Sequence, residues 1–172
     1  MRAEGVASDV RVRLGREGDL SAIDEIYNHY ILHTPITFDV EPWTPLQRRE
    51  WFAAFGARGR YRLFVAELDG GVVGYASSRR FRDKAAYETS VETSVYVAPA
   101  LGARGIGSAL YAALIDALAM EDVHRLLAGI TLPNPASLAL HARFGFRPVG
   151  VFQDVGRKFG RFWSVQWLER EA

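Results

Sequence analysis

The stretch from Val95 to Leu114 constrains the fold more than any other part of this chain. An apolar run at residues 95–97 ends before Pro99, a loop rich in glycine and alanine follows, and a helical pattern opens at Ser108. The first amide groups of a helix lack internal hydrogen-bond partners, and the helix dipole places partial positive charge there. Glycine lets the backbone approach an anion closely because it has no Cβ. The order of strand, glycine loop and helix is therefore typical of an anion site.

We interpret this loop as a cradle for a pyrophosphate group. Its candidate binding residues are Ala103, Arg104, Gly105, Ile106, Gly107 and Ser108. An ordinary strand-to-helix turn explains the loop alone equally well, so the motif needs context. The chain has no GxxxxGK[ST] sequence, which excludes a P-loop. It also has no GxGxxG after its first strand, which excludes a Rossmann dinucleotide site.

Composition narrows the class of protein further. A chain of 172 residues suits one domain with a sizeable core. Because it has no cysteine, a disulfide, a thiolate metal site and a cysteinyl-enzyme are all excluded. A net charge of +1 gives no reason to expect nucleic acid or a membrane as partner. No apolar run reaches the ~20 residues of a membrane span, and the N-terminus lacks the apolar core of a signal peptide, so we expect a cytoplasmic protein. The spacing of His29, His33 and His124 suggests no metal site.

Hydrophobic periodicity predicts the element order β-α-α-β-β-β-α-β-α-β-β, a single α/β domain over residues 10–172 after a flexible leader over residues 1–9. We expect a mixed central β-sheet flanked by helices. Asp69-Gly70-Gly71 predicts a hairpin turn, and Thr44-Pro45 with Gln47 predicts a capped helix start. The apolar run Arg125–Thr131 predicts a central strand covered on both faces.

Glu92 is the first candidate for chemistry outside the loop. Strand alternation in SVETSVYV places Glu92, Ser94 and Tyr96 on one face of the sheet. A strand glutamate usually faces solvent. A carboxylate can also act as a general base, which takes a proton from an attacking amine directly or through one water. The residues alone leave both interpretations open.

Several motifs resemble a known family. The sequence VxPxxxxxGIGSAL is similar to the acetyl-CoA pyrophosphate loop of the GNAT superfamily, written Q/R-x-x-G-x-G/A, with Gly102 where glutamine or arginine is usual. More narrowly, TFDVEP, SVETSVYV, LPN-x-x-S-x-x-LH and a Gly-rich segment with a Trp occur in this order. Together they resemble the phosphinothricin and methionine-sulfoximine acetyltransferases over residues 11–170.

The resemblance implies a GNAT fold and a homodimer. It also implies direct acetyl transfer from acetyl-CoA to the α-amine of a small amino-acid analogue such as phosphinothricin, methionine sulfoximine or methionine sulfone. It assigns Glu92 to the catalytic centre, Asn134 to the pantetheine arm, and His141 to protonation of the leaving thiolate. The strand amides at Val95, Tyr96 and Val97 would contact the cofactor and polarise the thioester carbonyl. On the residues alone, Asn134 is also a good helix N-cap and His141 a good core-edge residue.

Four residues match acceptor-pocket positions of the resembled family, namely Phe38, Glu41, Arg82 and Tyr87. An arginine fork suits the α-carboxylate of an amino acid. Arg82 lies in a cluster with Arg79, Arg80 and Lys84, and a charged surface loop also explains such a cluster. Two alternatives stay open. One is acetylation of another amine (an aminoglycoside, a polyamine or a protein N-terminus), and the other is a non-catalytic acyl-CoA-binding module.

Overall fold

The protein is described here from a computed structural model that covers residues 10–102 and 104–172. The expected leader over residues 1–9 and Ala103 lie outside the described residues. The strands are β1 (Arg11–Leu14), β2 (Leu63–Leu68), β3 (Gly71–Arg80), β4 (Ser90–Val97), β5 (Arg125–Thr131), β6 (Arg147–Lys158) and β7 (Arg161–Glu171). The helices are α1 (Leu20–His33), α2 (Pro45–Phe52), α3 (Ile106–Leu118) and α4 (Pro135–Arg143). This is the element order that the sequence predicts.

The strands form one mixed sheet of seven strands in the order β1-β2-β3-β4-β5-β7-β6. Neighbouring strands are antiparallel except for β4 and β5, which run parallel. Asp69 and Gly70 join β2 to β3 with φ values of 52° and 80°, as expected for the tight hairpin turn predicted there. Thr44 caps α2 and Gln47 closes the predicted capping box. The α/β prediction with a single central sheet is confirmed.

The parallel pair β4–β5 is short and then opens into a fork. Residues 90–92 of β4 pair with residues 125–127 of β5. Beyond Glu92, β4 continues to Val97 and pairs there with β3 alone. The backbone N–H and C=O groups on the β5 side of this segment are therefore available to a ligand.

The two faces of the sheet are covered to different extents. On one face α3 buries Leu110, Leu114 and Leu118 against strand residues such as Val91 and Leu126. On the other face α1 and α2 pack Ile23 and Trp51 against Val65 and Tyr75, which belong to β2 and β3. Helices α1 and α2 cover only the part of this second face that β1–β4 form. The part formed by the end of β4 and by β5 and β7 is more open.

This uneven cover corrects one prediction. The sequence predicts that the central strand Arg125–Thr131 is covered on both faces. In the structure Leu126 and Ala128 are buried towards α3, whereas Gly129 on the opposite face is exposed. The apolar run suggested cover on both faces, but α1 and α2 lie over the neighbouring strands and leave this face of β5 open.

Element boundaries also differ from the sequence prediction in two places. Helix α3 begins at Ile106 rather than Ser108, because Gly105 adopts φ 75° and caps it from the left-handed region. The sequence pattern predicts the last two strands over residues 146–151 and 162–168. Both strands extend well beyond these ranges, because β6 and β7 continue pairing as a long hairpin. The length of each strand is therefore set by its partner strand rather than by its own residue pattern.

Candidate active site

A cavity of about 670 Å³ opens at the fork between β4 and β5. Its walls come from both strands, from the loop that leads into α3, and from α4. It gathers most of the residues that the sequence analysis assigns to the cofactor, namely Val95, Tyr96, Val97, Arg104, Gly105, Ile106, Gly107, Ser108 and Asn134. Ala103 lies outside the described residues. The free edge of β4 and the start of α3 therefore face the same space.

The glycine loop has the backbone geometry of an anion cradle. Gly105 is the N-cap of α3 at φ 75°, ψ 0°, and no side chain caps the first amides of this helix. A Cβ on Gly107 would lie 3.3 Å from Leu140 Cδ2, so glycine lets α4 pack closely there. A Cβ on Gly102 would meet open space. Positively polarised amides, with exposed Arg104 beside them, fit a pyrophosphate group.

Asn134 both caps α4 and lines the cavity. Its Oδ1 accepts a hydrogen bond from the Ser137 backbone N–H at 3.1 Å. This bond accounts for the capping role expected from the sequence. The same side chain lies on the cavity wall with His141, seven residues further along, as two helical turns require.

His141 is buried, with 2% of its surface exposed, and both ring nitrogens have partners within the protein. Nδ1 lies 2.7 Å from the Ser137 carbonyl oxygen, which can only accept, so Nδ1 carries the proton. Nε2 then accepts from the Tyr111 hydroxyl at 2.7 Å. Burial lowers the pKa of His141, and the ring is therefore neutral at pH 7.

Glu92 lies half-buried on the open half of the opposite face. Its register neighbours are Arg79 on β3 and Leu127 on β5. Burial raises the pKa of the Glu92 carboxyl, and the positive charges of Arg79 and Arg82 offset part of that rise. Glu92 thus has a higher proton affinity than an ordinary glutamate, which suits a general base.

An aromatic wall stands over this part of the sheet. Phe81 follows β3, yet its ring contacts Trp167 of β7 with centroids 5.9 Å apart. Because β4 and β5 lie between those strands, the segment after β3 crosses the sheet face near Glu92. Tyr87 packs edge-on against Phe81 at 5.8 Å, and the Arg82 guanidinium lies 4.6 Å from the centre of the same ring. The predicted acceptor residues Arg82 and Tyr87 are therefore brought together.

A family model, described as Acetyltransferase (GNAT) domain, matches residues 12–167. The chain belongs to the GNAT family. It is accordingly an N-acetyltransferase that uses acetyl-CoA. The acetyl-CoA expectation and the GNAT fold that the sequence analysis drew from its resemblance are confirmed.

Curated relatives include acetyltransferases named for phosphinothricin and for methionine sulfoximine and sulfone. The chain is 58% identical to a phosphinothricin N-acetyltransferase of Streptomyces coelicolor, covering 95% of this chain and 96% of the relative. It is 36% identical to an L-methionine sulfoximine/L-methionine sulfone acetyltransferase of Salmonella typhimurium, covering 92% of each. Among solved structures, a GNAT superfamily phosphinothricin acetyltransferase from Sinorhizobium meliloti in complex with AcCoA aligns with a TM-score of 0.89 and 31% identity. That alignment covers 94% of this chain and 88% of the other.

Phe38 and Glu41 lie on the loop between α1 and α2, outside the lining of the large cavity of this GNAT protein. The Phe38 ring packs directly on Gly156 of β6, where a Cβ would overlap the ring. Glu41 is exposed. None of the four predicted acceptor residues lines the cavity, since Arg82 and Tyr87 also lie outside it, and neither does Glu92.

The loop that carries Phe38 is nonetheless held firmly. The Lys158 ammonium donates to the Thr37 carbonyl oxygen at 2.7 Å, although Lys158 is only 5% exposed. Asp39 accepts from the Tyr27 hydroxyl at 2.6 Å and from the Trp43 indole N–H at 2.8 Å. These bonds tie the loop to helix α1 and to the β6–β7 hairpin.

Three contacts around the candidate site are not predicted by the sequence analysis. Arg79 is placed beside Glu92 by strand register, Tyr111 reaches His141 from another helix, and Trp167 meets Phe81 across two strands. Register and tertiary packing decide all three contacts. Residue spacing within one element could not have revealed them.

Two negative findings apply to the described residues. They contain no group of three or more histidine, aspartate or glutamate side chains that could hold a metal ion. None of the described helices is long and apolar enough to cross a membrane.

Proposed function

We propose that this GNAT enzyme transfers an acetyl group directly from acetyl-CoA to the α-amine of a small amino-acid analogue of the phosphinothricin, methionine sulfoximine or methionine sulfone type. The observation that carries the proposal is the position of Glu92. Glu92 is half-buried and is the last residue of β4 that pairs with β5, directly before the strand edge becomes free, and two guanidinium groups lie nearby. The names of the curated relatives support the same acceptor class.

Glu92 is proposed to take a proton from the acceptor. An α-ammonium group must lose a proton before it can attack a thioester, and a nearby carboxylate accepts it directly or through one water. The raised pKa of Glu92 increases its affinity for that proton. Acetyl-CoA supplies the acetyl thioester, and the amine attacks its carbonyl carbon without an acyl-enzyme.

The free edge of β4 is proposed to stabilise the negative charge that develops on the thioester oxygen. The N–H groups of Val95 and Val97 face the free edge beyond the paired part of β4, whereas the Tyr96 N–H points to β3, which fixes the strand on its other side. Preorganised backbone donors of this kind need no rearrangement during the reaction. The Tyr30 hydroxyl donates to the Val97 carbonyl oxygen at 2.6 Å and holds the far end of the edge in place.

His141 is proposed to return a proton to the CoA thiolate. The ring is neutral and carries its proton on Nδ1, which the Ser137 carbonyl oxygen holds. It must therefore first take up the proton that the attacking nitrogen loses as the amide forms, and the imidazolium then gives a proton to the thiolate and returns to the neutral state. Burial raises the pKa of Tyr111, so its hydroxyl keeps its proton and holds Nε2 in place.

The acceptor is proposed to bind through its α-carboxylate to Arg82, whose planar fork suits bidentate contact. Phe81 orients this guanidinium through a cation–π contact at 4.6 Å. Tyr87 would border the side chain of the acceptor. We assign Phe38 and Glu41 to the outer part of this pocket, on the loop that Lys158 anchors.

Thiol release from acetyl-CoA tests the proposal. The protein has no cysteine, so its own side chains add no thiol background. The panel comprises phosphinothricin, methionine sulfoximine, methionine sulfone, a polyamine and an aminoglycoside. We expect release with the amino-acid analogues and strong loss in Glu92→Gln and His141→Phe. Unchanged turnover in both variants contradicts the proposed chemistry.

Two other outcomes lead elsewhere. Release only with the polyamine or the aminoglycoside would assign the enzyme to another amine. Thermal protection by CoA without thiol release by any acceptor would indicate an acyl-CoA-binding module. The arginines beside Glu92 disfavour polycationic acceptors, because like charges raise the cost of binding.

We further propose a homodimer, and the edge strand β6 is the surface that supports it. Val149, Phe152 and Val155 on this strand are each more than half exposed. Contiguous apolar surface of this kind marks an interaction site. Light scattering at micromolar protein concentration should give twice the mass of 19.2 kDa, and a monomer would contradict this part of the proposal.

A further inference from the structure

Arg79 occupies a position beside Glu92 that the proposed reaction does not yet use. The Cα atoms of Arg79 and Glu92 are register partners across β3 and β4, so both side chains leave the sheet on the same face. Cross-strand partners have Cβ atoms about 5 Å apart. Arg79 is exposed and lies at the end of β3, just before the aromatic wall begins.

Several arginines form close ion pairs with carboxylates, and Arg79 is not one of them. Among the described residues, seven arginines have a carboxylate oxygen within 4.0 Å, and they are Arg13, Arg48, Arg60, Arg62, Arg80, Arg125 and Arg147. Arg79 and Arg82 instead both lower the pKa of one carboxyl group, that of Glu92, through their positive charges. Two cations and one anion leave this part of the site with a net positive charge. An acceptor that brings two anionic groups and one ammonium would balance it.

We propose that Arg79 is a specificity-determining residue that binds an anionic side-chain group of the acceptor. The inference rests on the proposed function, in which Glu92 receives the ammonium and Arg82 the α-carboxylate. Arg79 is then the remaining cation on the same face, and it extends from a strand rather than a loop. The site therefore prefers an amino acid whose side chain carries a phosphinate or carboxylate over one that carries a neutral sulfone.

A purely structural role for Arg79 makes a different prediction. An opposite-charge pair across two strands contributes little to stability. In that role, loss of the guanidinium would affect all acceptors alike through Glu92. Selectivity between an anionic and a neutral acceptor separates the two interpretations.

The test compares kcat/KM for phosphinothricin with kcat/KM for methionine sulfone at saturating acetyl-CoA. We expect Arg79→Gln to lower the phosphinothricin/sulfone ratio by about tenfold or more, the effect of one charge-assisted hydrogen bond. Arg79→Lys keeps the charge and should retain part of the ratio. Arg80→Gln is the matched control, since Arg80 pairs with Val91 and leaves the sheet on the opposite face. It should leave the ratio unchanged.

Each other result overturns the proposal. Equal losses for both acceptors in Arg79→Gln would mean that Arg79 acts only through Glu92. An unchanged ratio with normal turnover would make Arg79 an ordinary surface arginine. Both results leave the proposed function intact, whereas no thiol release by the unaltered enzyme with any amino acid would overturn the proposed function together with this inference.

Discussion

The proposed cofactor half and the proposed acceptor half of this site are built in different ways. The cofactor half consists of backbone: a free strand edge, a left-handed glycine and the first turn of α3. The acceptor half consists of side chains that meet from three strands and two irregular segments, with Glu92, Arg79 and Trp167 as examples. The backbone groups that would bind the cofactor belong to one short segment, so their spacing along the sequence is fixed. Side-chain recognition depends on which strands become neighbours, so it can change while the cofactor half stays the same.

The largest effect should come from the acceptor half. Replacing Glu92 with Gln should lower kcat by about 10²–10⁴-fold, the usual contribution of a general base. KM for acetyl-CoA should change little, because the cofactor half is intact. Glu88→Gln is the matched control, since Glu88 is exposed and makes a surface ion pair with Arg60. Full activity in Glu92→Gln would contradict the assignment of the general base to the acceptor half.

The same substitution should raise stability at neutral pH. The folded-state pKa of Glu92 is raised, so the ionised carboxylate is disfavoured in the folded state and its ionisation destabilises the protein as pH rises. Glu92→Gln removes that cost. Its melting temperature should exceed that of the unaltered protein at pH 7, and the difference should disappear below the unfolded-state pKa near pH 4. A gain that persists in acid would point to packing instead.

A smaller effect is expected in the glycine loop. Gly105→Ala forces a side chain into the left-handed region, at a cost of about 1–2 kcal/mol, and displaces the first amides of α3. Both the melting temperature and the affinity for acetyl-CoA should fall. Gly102→Ala is the control, because its Cβ would meet open space at φ −55°. If the two alanine variants bind acetyl-CoA equally well, backbone geometry does not define the cofactor half.

The two helix N-caps provide a comparison of similar size. Asn134→Ala and Thr44→Ala should each lose about 1 kcal/mol of stability, since each removes a side-chain cap. Only Asn134 lines the cavity, so only Asn134→Ala should also raise KM for acetyl-CoA. If thermal-shift measurements show that both variants are folded and their KM values for acetyl-CoA are equal, Asn134 acts only as a structural cap.

The smallest effect should be a gain. Gly102 stands where related loops carry glutamine or arginine, and the backbone there does not require glycine. Gly102→Gln can add a side-chain contact to the pyrophosphate, and one neutral hydrogen bond is worth about 1 kcal/mol. Isothermal titration should show a few-fold tighter binding of acetyl-CoA. Weaker binding would mean that the loop has no room for the longer side chain.

The sequence predicted the elements around the proposed site better than the contacts between them. Element order, the hairpin at Asp69-Gly70 and the cap at Thr44 follow from local chemistry, and the structure has them all. Strand alternation correctly put Glu92 on the opposite face from Val91. The sequence did not predict Arg79 beside Glu92, because register is set between strands. It also did not predict that both nitrogens of His141 have partners, since Tyr111 comes from another helix.

The fork between β4 and β5 also makes the stability of the folded chain depend on the binding of acetyl-CoA. Without its co-substrate, the sheet leaves an unpaired strand edge facing a cavity. A ligand that binds only the folded chain stabilises it by about 2.7 kcal/mol at a hundred times its dissociation constant. Proteases cleave transiently opened chains, so such a gain slows degradation markedly. We therefore expect cells depleted of acetyl-CoA to clear this enzyme faster than well-fed cells do, which would make its abundance follow the supply of its own acetyl donor.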